Sequence, residues 1–138
     1  MPGMNVLNQS VKKLFPMKEM KRTLIIGASA NPSRYSFLAA RKLSASGHPV
    51  LLLGRRKGII ADQEIHVEPI MWEDIDTVTL YINPSIQPSY YDYIISLNPK
   101  RVIFNPGTEN HEFENILVAK NIVPVEACTL VMLSTGQY

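Results

Sequence analysis

Thr23-Leu24-Ile25-Ile26-Gly27-Ala28-Ser29-Ala30-Asn31-Pro32-Ser33-Arg34-Tyr35-Ser36 is the stretch that decides the fold. Leu24, Ile25 and Ile26 form an apolar run without polar alternation, the pattern of a strand covered on both faces. Gly27 ends it. After a short stretch of small and polar residues, Phe37, Leu38, Ala39, Ala40 and Leu43 recur at helical spacing. The helix, expected over residues 35–46, stops at Gly47, a residue suited to the left-handed conformation that closes helices. A buried strand, a tight loop and a helix are the opening unit of a parallel α/β sheet.

The same alternation continues along the chain. Residues 49–53 form a second apolar run closed by Gly54, and residues 65–67 a weaker third strand after the turn at Ala61-Asp62-Gln63. Residues 76–83 read as a fourth strand, 86–97 as a helix, 101–105 as a fifth strand, 110–120 as a helix and 122–125 as a sixth strand. Parallel neighbours require right-handed crossovers, so the pattern predicts a single-domain α/β protein, a doubly wound parallel sheet of Rossmann type. The expected strand order is 3-2-1-4-5-6, with ligands at the carboxyl ends where strands one and four diverge. The domain spans residues 21–138, preceded by an irregular N-terminal arm over residues 1–20.

The loop after the first strand has the chemistry of an anion site. Gly27 permits a sharp turn and close backbone approach; Ser29, Ser33 and Ser36 carry hydroxyl donors; the helix that follows presents free amides and a positive dipole end. Small residues also serve plain strand-to-helix packing, and Ser33 also suits a helix cap. Arg34 favours the anion. The glycine pattern of the ordinary dinucleotide fingerprint is absent, since Ser29 and Pro32 stand where later glycines would be.

A second cationic feature follows strand two. NAD-preferring folds place an acidic residue there for the ribose hydroxyls. This chain has Gly54-Arg55-Arg56-Lys57-Gly58 instead. Guanidinium groups beside an adenosine ribose suit a phosphomonoester on that sugar, as both NADP and coenzyme A carry. The alternative is a solvated basic loop without a ligand.

Composition narrows the remaining classes. Fourteen basic against twelve acidic residues give a net charge of +2 over 138 residues, too balanced for bulk attraction to nucleic acid or a membrane surface. No run is long enough to span a bilayer. The single Cys128 excludes an intrachain disulfide and fits a reducing, cytoplasmic setting. The expected partner is a small-molecule nucleotide cofactor, with a homo-oligomer or an enzyme partner left open.

The first loop from Gly27 to Ser36, Asn83-Pro84, Asn105-Pro106-Gly107 and the tail from Cys128 to Tyr138 together resemble the CoA-binding domain family. These are small stand-alone Rossmann proteins similar to the nucleotide-binding domain of the succinyl-CoA synthetase alpha subunit. The resemblance implies that Gly27, Ala28, Ser29, Arg34 and Ser36 contact a diphosphate. It places Gly54, Arg55 and Arg56 near an adenosine 3′-phosphate. Asn83 and Pro84 would border the adenine and pantetheine path, and Asn105, Pro106 and Gly107 would close the far side. The chain lacks the ligases' second domain with its phosphorylated histidine, so ligase activity does not carry over. The expected function is binding of coenzyme A or an acyl-CoA without a catalytic centre; an NADP-binding oxidoreductase or a ligand-free scaffold are the alternatives.

Other residues carry structural expectations. Cys128 either approaches the thiol end of a bound pantetheine or fills space in the core. His48, His66 and His111 show no metal-ligand spacing, and Glu109, Glu112 and Glu114 read as complements to a helix dipole. Tyr90, Tyr91 and Tyr93 point in different directions around a helix and read as packing residues, and Trp72 as a cover for an edge strand.

Overall fold

A computed structural model describes residues 19–138, and the expected arm lies outside the described residues up to residue 18. Seven strands form one sheet: β1 (Thr23–Ala28), β2 (Val50–Gly54), β3 (Ile59–Ile60), β4 (Gln63–His66), β5 (Thr77–Leu80), β6 (Arg101–Phe104) and β7 (Val123–Glu126). The helices are α1 (Tyr35–Ala45), α2 (Tyr91–Leu97), α3 (His111–Ala119) and α4 (Thr129–Ser134). Strands stand in the order β3-β4-β2-β1-β5-β6-β7. The six strands expected from sequence are mutually parallel and in the expected order, since β4 to β7 correspond to strands three to six.

The sheet divides two cores, as the unbroken apolar runs require. Leu24, Ile26, Val78, Leu80, Val102 and Phe104 face α2 and α3, meeting Ile94, Leu97, Phe113 and Leu117. Ile25, Leu52 and Ile103 face α1 and α4, meeting Ala39, Ala40, Leu43 and Met132. Alternate residues of one strand thus enter opposite cores. Each fully covered Leu, Ile or Phe contributes about 1.5–3 kcal/mol of burial free energy.

Several elements differ from the sequence reading, each for a local reason. Strand β3 was not expected: it pairs antiparallel with β4 through a two-residue turn at Ala61 and Asp62, whose φ values are +48° and +65°. Two positive φ values are what a type I′ hairpin demands, but the usual Asn-Gly signal is missing. The fourth strand stops at Leu80 rather than residue 83, because Asn83 opens a turn in which its Oδ1 accepts the Ser85 and Ile86 amides. The helix expected over 86–97 divides into a 3₁₀ turn, Gln87–Tyr90, and α2, with Pro88 near the start of the turn. Proline has no amide to continue an α-helical ladder. Helix α4 lies in the tail from Cys128 to Tyr138, where no element was expected; it packs against α1 and completes that layer.

Trp72 lies edge-on to His66 of β4, ring centroids 5.5 Å apart, and covers the sheet where no helix links β4 to β5. Tyr91 stacks on Phe113 at 4.2 Å, and Tyr93 donates to the Ile70 carbonyl at 2.6 Å. These aromatics are packing residues. Pro124 sits within β7, at the edge opposite β3.

Candidate functional site

Because the six main strands are parallel, the loops at their carboxyl ends share one rim of the sheet. Gly27–Ser36 follows or closes β1, Gly54–Gly58 ends β2, Asn83 and Pro84 follow β5, and Asn105–Gly107 follows β6. All the candidate site residues are therefore on one edge of the molecule, and β1 and β5 are the strands that diverge at the switch point.

Glycine fixes the geometry at two of these positions. Gly27 has φ +94°, and a Cβ there would lie 2.8 Å from both the carbonyl carbon and the oxygen of Tyr81. Only a residue without a side chain lets β1 close on the end of β5. A Cβ on Gly54 would lie 2.2 Å from the Ala28 oxygen, and one on Gly58 would lie 2.8 Å from the Ala30 Cβ. The basic loop Arg55–Lys57 is thus seated directly against the first loop, held by a glycine at either end.

The first loop leaves its helix open. Asn31 organises the turn: its amide donates to Ser29 Oγ at 3.1 Å, and its Oδ1 accepts the Ser33 amide at 3.0 Å and the Ser33 hydroxyl at 2.8 Å. Ser33 does not cap α1. Arg34 occupies the N-cap position with extended backbone, and no side chain caps the helix. The first amides of an uncapped helix lack intrahelical acceptors and favour an anion. Ser36 is buried beneath the loop, whereas Arg34, Arg55, Arg56 and Lys57 are exposed. Among the described residues none of these four cations forms an ion pair with Asp or Glu.

The other two loops are built differently. Asn83 spends its Oδ1 on the turn that starts the 3₁₀ segment. Asn105 is buried, and its amide is consumed internally: Nδ2 donates to Thr79 Oγ1 at 2.7 Å and to the Leu80 carbonyl at 2.9 Å, while Oδ1 accepts the Thr129 amide at 2.9 Å. It ties β5, β6 and the start of α4 together. Gly107, with φ +91°, donates its amide to Glu109 at 2.7 Å. Pro84, Pro106 and Gly107 line the rim as exposed turn residues.

Two residues absent from the sequence reading matter here. Gln87 is wholly buried and bridges the rim loops: Nε2 donates to the Ile82 and Thr108 carbonyls, and Oε1 accepts from Asn110. Tyr81, at the end of β5, has a buried hydroxyl with no hydrogen-bond partner. Burial pushes its phenol up to about 12, and the nearby Thr129 and Thr79 hydroxyls offset this only in part. It remains a proton donor at neutral pH. Cys128 is half-buried at the residue before α4.

Recesses flank the rim and the opposite edge. One of about 450 Å³ adjoins the basic loop, lined by Lys57, Gly58, Ile59, Asp62 and Glu64. Another of about 440 Å³ lies at the amino ends of the strands, between Lys21, Ser46, His48 and Tyr138, away from the rim loops. There Tyr138 receives the Arg101 guanidinium over its ring at 4.4 Å and shares a hydrogen bond with the Thr23 hydroxyl at 2.5 Å.

A doubly wound parallel sheet flanked by helices, with an uncapped helix start at its switch point, defines a Rossmann-type domain. Residues 21–134 match the CoA binding domain, and the chain belongs to that family. A crystal structure of an uncharacterized protein is similar, with TM-score 0.86 and 54% identity, covering 88% of this chain and 100% of that one. A hypothetical protein from Pyrococcus horikoshii OT3 has TM-score 0.77 at 18% identity, covering 93% of this chain and 90% of that one. A protein from Thermus thermophilus has TM-score 0.72 at 21% identity, covering 97% and 98%. These last two likenesses show the fold alone. No curated protein matches the chain. Among the described residues no helix is long and apolar enough to cross a membrane.

Proposed function

We propose that this protein is a stand-alone module for coenzyme A or an acyl-CoA, and that it has no self-contained catalytic centre. The observation that carries the reading is the uncapped start of α1, packed beside a loop whose three cations, with Arg34, have no acidic partner among the described residues. The α1 amides and Arg34 would hold the diphosphate. Arg55 and Arg56 would hold the 3′-phosphate. Gly27, Gly54 and Gly58 let the end of β5, the first loop and the basic loop close on one another, which would set the shape of the cradle. Coenzyme A, when bound, supplies a thiol that carries acyl groups as thioesters.

In this reading Asn105 and Gln87 position the walls, Asn83 and Pro84 border the path of the pantetheine arm, and Pro106 and Gly107 close its far side. The protein would act as a carrier, sensor or regulatory partner of an enzyme that uses the acyl group. NADP carries a comparable phosphate, and the basic loop alone does not separate the two ligands.

Calorimetric titration with CoA, dephospho-CoA and NADPH tests the proposal. CoA is expected to bind more tightly than dephospho-CoA, and Arg55→Ala with Arg56→Ala should bring CoA down to the dephospho-CoA level. Charged hydrogen bonds of about 1.5–3 kcal/mol each predict a loss of at least ~10-fold. Indifference to the 3′-phosphate would remove Arg55 and Arg56 from the site. Preference for NADPH would transfer the site to a nicotinamide cofactor.

A further inference from the structure

Away from the cradle, three metal-ligating side chains from two separate segments meet at the outer part of the same rim. His111 and Glu114 lie one helical turn apart at the start of α3, and Glu126 ends the edge strand β7. Their donor atoms lie within 4.8 Å of one another, with His111 Nδ1 3.9 Å from Glu114 Oε2. Local spacing supplies only the His-Glu pair. The third donor arrives through the β6–β7 pairing, which sets Glu126 opposite Phe104.

The cluster is partly preorganised. Glu114 has only 16% of its side chain exposed, and its Oε2 accepts the Asn110 amide at 3.3 Å. Asn110 is in turn fixed, donating to Gln87 Oε1 at 2.9 Å and to the Tyr91 hydroxyl at 2.8 Å. His111 and Glu126 are exposed and free to swing toward it. Glu114 and Glu126 face each other, and among the described residues neither pairs with Lys or Arg.

We propose that His111, Glu114 and Glu126 bind a divalent transition-metal ion of the zinc class, as three protein ligands with the remaining coordination open to water. One imidazole with two carboxylates suits zinc-class ions, whereas magnesium and calcium favour all-oxygen sets. Zinc–ligand bonds of about 2.0–2.1 Å place tetrahedral donors roughly 3.3–3.4 Å apart. Closure by up to about 1.5 Å, through rotation of the exposed His111 and Glu126, would meet that geometry. The site stands about 14 Å from β1, three strand spacings along the sheet. It does not depend on the identity of the nucleotide in the cradle.

The test uses the full chain, treated with chelator, dialysed, and titrated with Zn²⁺ alone in the absence of nucleotide. One equivalent of saturable binding is expected, and Co²⁺ should give the visible absorption of a four- or five-coordinate ion. His111→Asn and Glu126→Gln should each weaken Zn²⁺ binding by at least ~10-fold, as loss of a ligand matters no less than loss of an outer-shell partner. His66→Asn and Cys128→Ser should leave it unchanged. Circular dichroism checks the fold of each variant, and both substituted ligands are exposed. Equal affinity in the unsubstituted protein and Glu126→Gln, failure to saturate, or loss of binding in Cys128→Ser would overturn the proposal.

Discussion

Substituting Gly27 by alanine separates two costs that the structure assigns to one residue. An L-residue at φ +94° carries left-handed strain of about 1–2 kcal/mol. Its Cβ would also press on the Tyr81 backbone at 2.8 Å and on Ile82 Cγ2 at 3.1 Å. Backbone atoms cannot rotate away, so overpacking adds about 1–3 kcal/mol. Gly47 and Gly107 have similar φ values, +87° and +91°, but nothing within 4 Å of a built Cβ. Their alanine variants should show the strain alone. Gly54→Ala, without positive φ but with a 2.2 Å approach to the Ala28 oxygen, should show the contact alone. The unfolded-state entropy gain of about 0.4–1 kcal/mol is common to all four and cancels in the comparison. At about 3–5 °C per kcal/mol for a chain of this size, Gly27→Ala should melt ~10–20 °C lower than the unsubstituted protein. Gly47→Ala should lose less than half of that. Thermal melts followed by circular dichroism decide the matter. Gly27→Ala and Gly47→Ala melting within about 2 °C of each other, on the scale of the same slope, would refute the close approach of β1 to the end of β5.

Asn105→Leu should cost about 3 kcal/mol in urea unfolding, because it leaves the Thr129 amide and the Leu80 carbonyl without their buried partner. An unchanged midpoint would show that water replaces the Asn105 amide. Ala61→Asn combined with Asp62→Gly should stabilise the β3–β4 hairpin by about 1 kcal/mol, since both positions have positive φ; a lower melting temperature would contradict that turn. Tyr81 and Tyr93 are both pushed up to about 12 by burial, and burial also raises Tyr91 and Tyr138, so ultraviolet titration should show several phenols ionising late. Unfolded phenols ionise near the ordinary value of about 10. Between about 10 and 12 the unfolded chain therefore binds fewer protons than the folded one, and stability should fall as pH rises through that window. Stability flat across it would mean that these hydroxyls are open to water.

The sheet was legible because strands buried on both faces leave continuous apolar runs, such as Leu24-Ile25-Ile26, that need no partner to be recognised. Gly27 and Gly54 were legible for a related reason, since each ends such a run where the chain must turn or pass close to a neighbour. Strand β3 was hidden by its brevity and by Ala61-Asp62 standing where a hairpin signal would be Asn-Gly. Helix α4 was hidden because its six residues are too few to show a helical repeat and no side chain caps its start, although Gly136, with φ +72°, marks its end. At the rim, sequence identifies which polar residues are present but not which way they face. Asn83 and Asn105 both precede proline after a strand, yet one amide organises an exposed turn and the other locks a buried junction. Glu126 gives no local sign of its neighbours, because only the β6–β7 register brings it to His111 and Glu114.

The two margins of the sheet differ in construction but discourage the same event. Beyond β4 the outermost row is only Ile59–Ile60, and at the other margin β7 carries Pro124, which has no amide to donate. Among the described residues, an incoming extended chain finds no long ladder of unsatisfied donors and acceptors on either side. Fibrillar growth by strand recruitment is thereby disfavoured, even though the interior strands are as apolar as those that drive it.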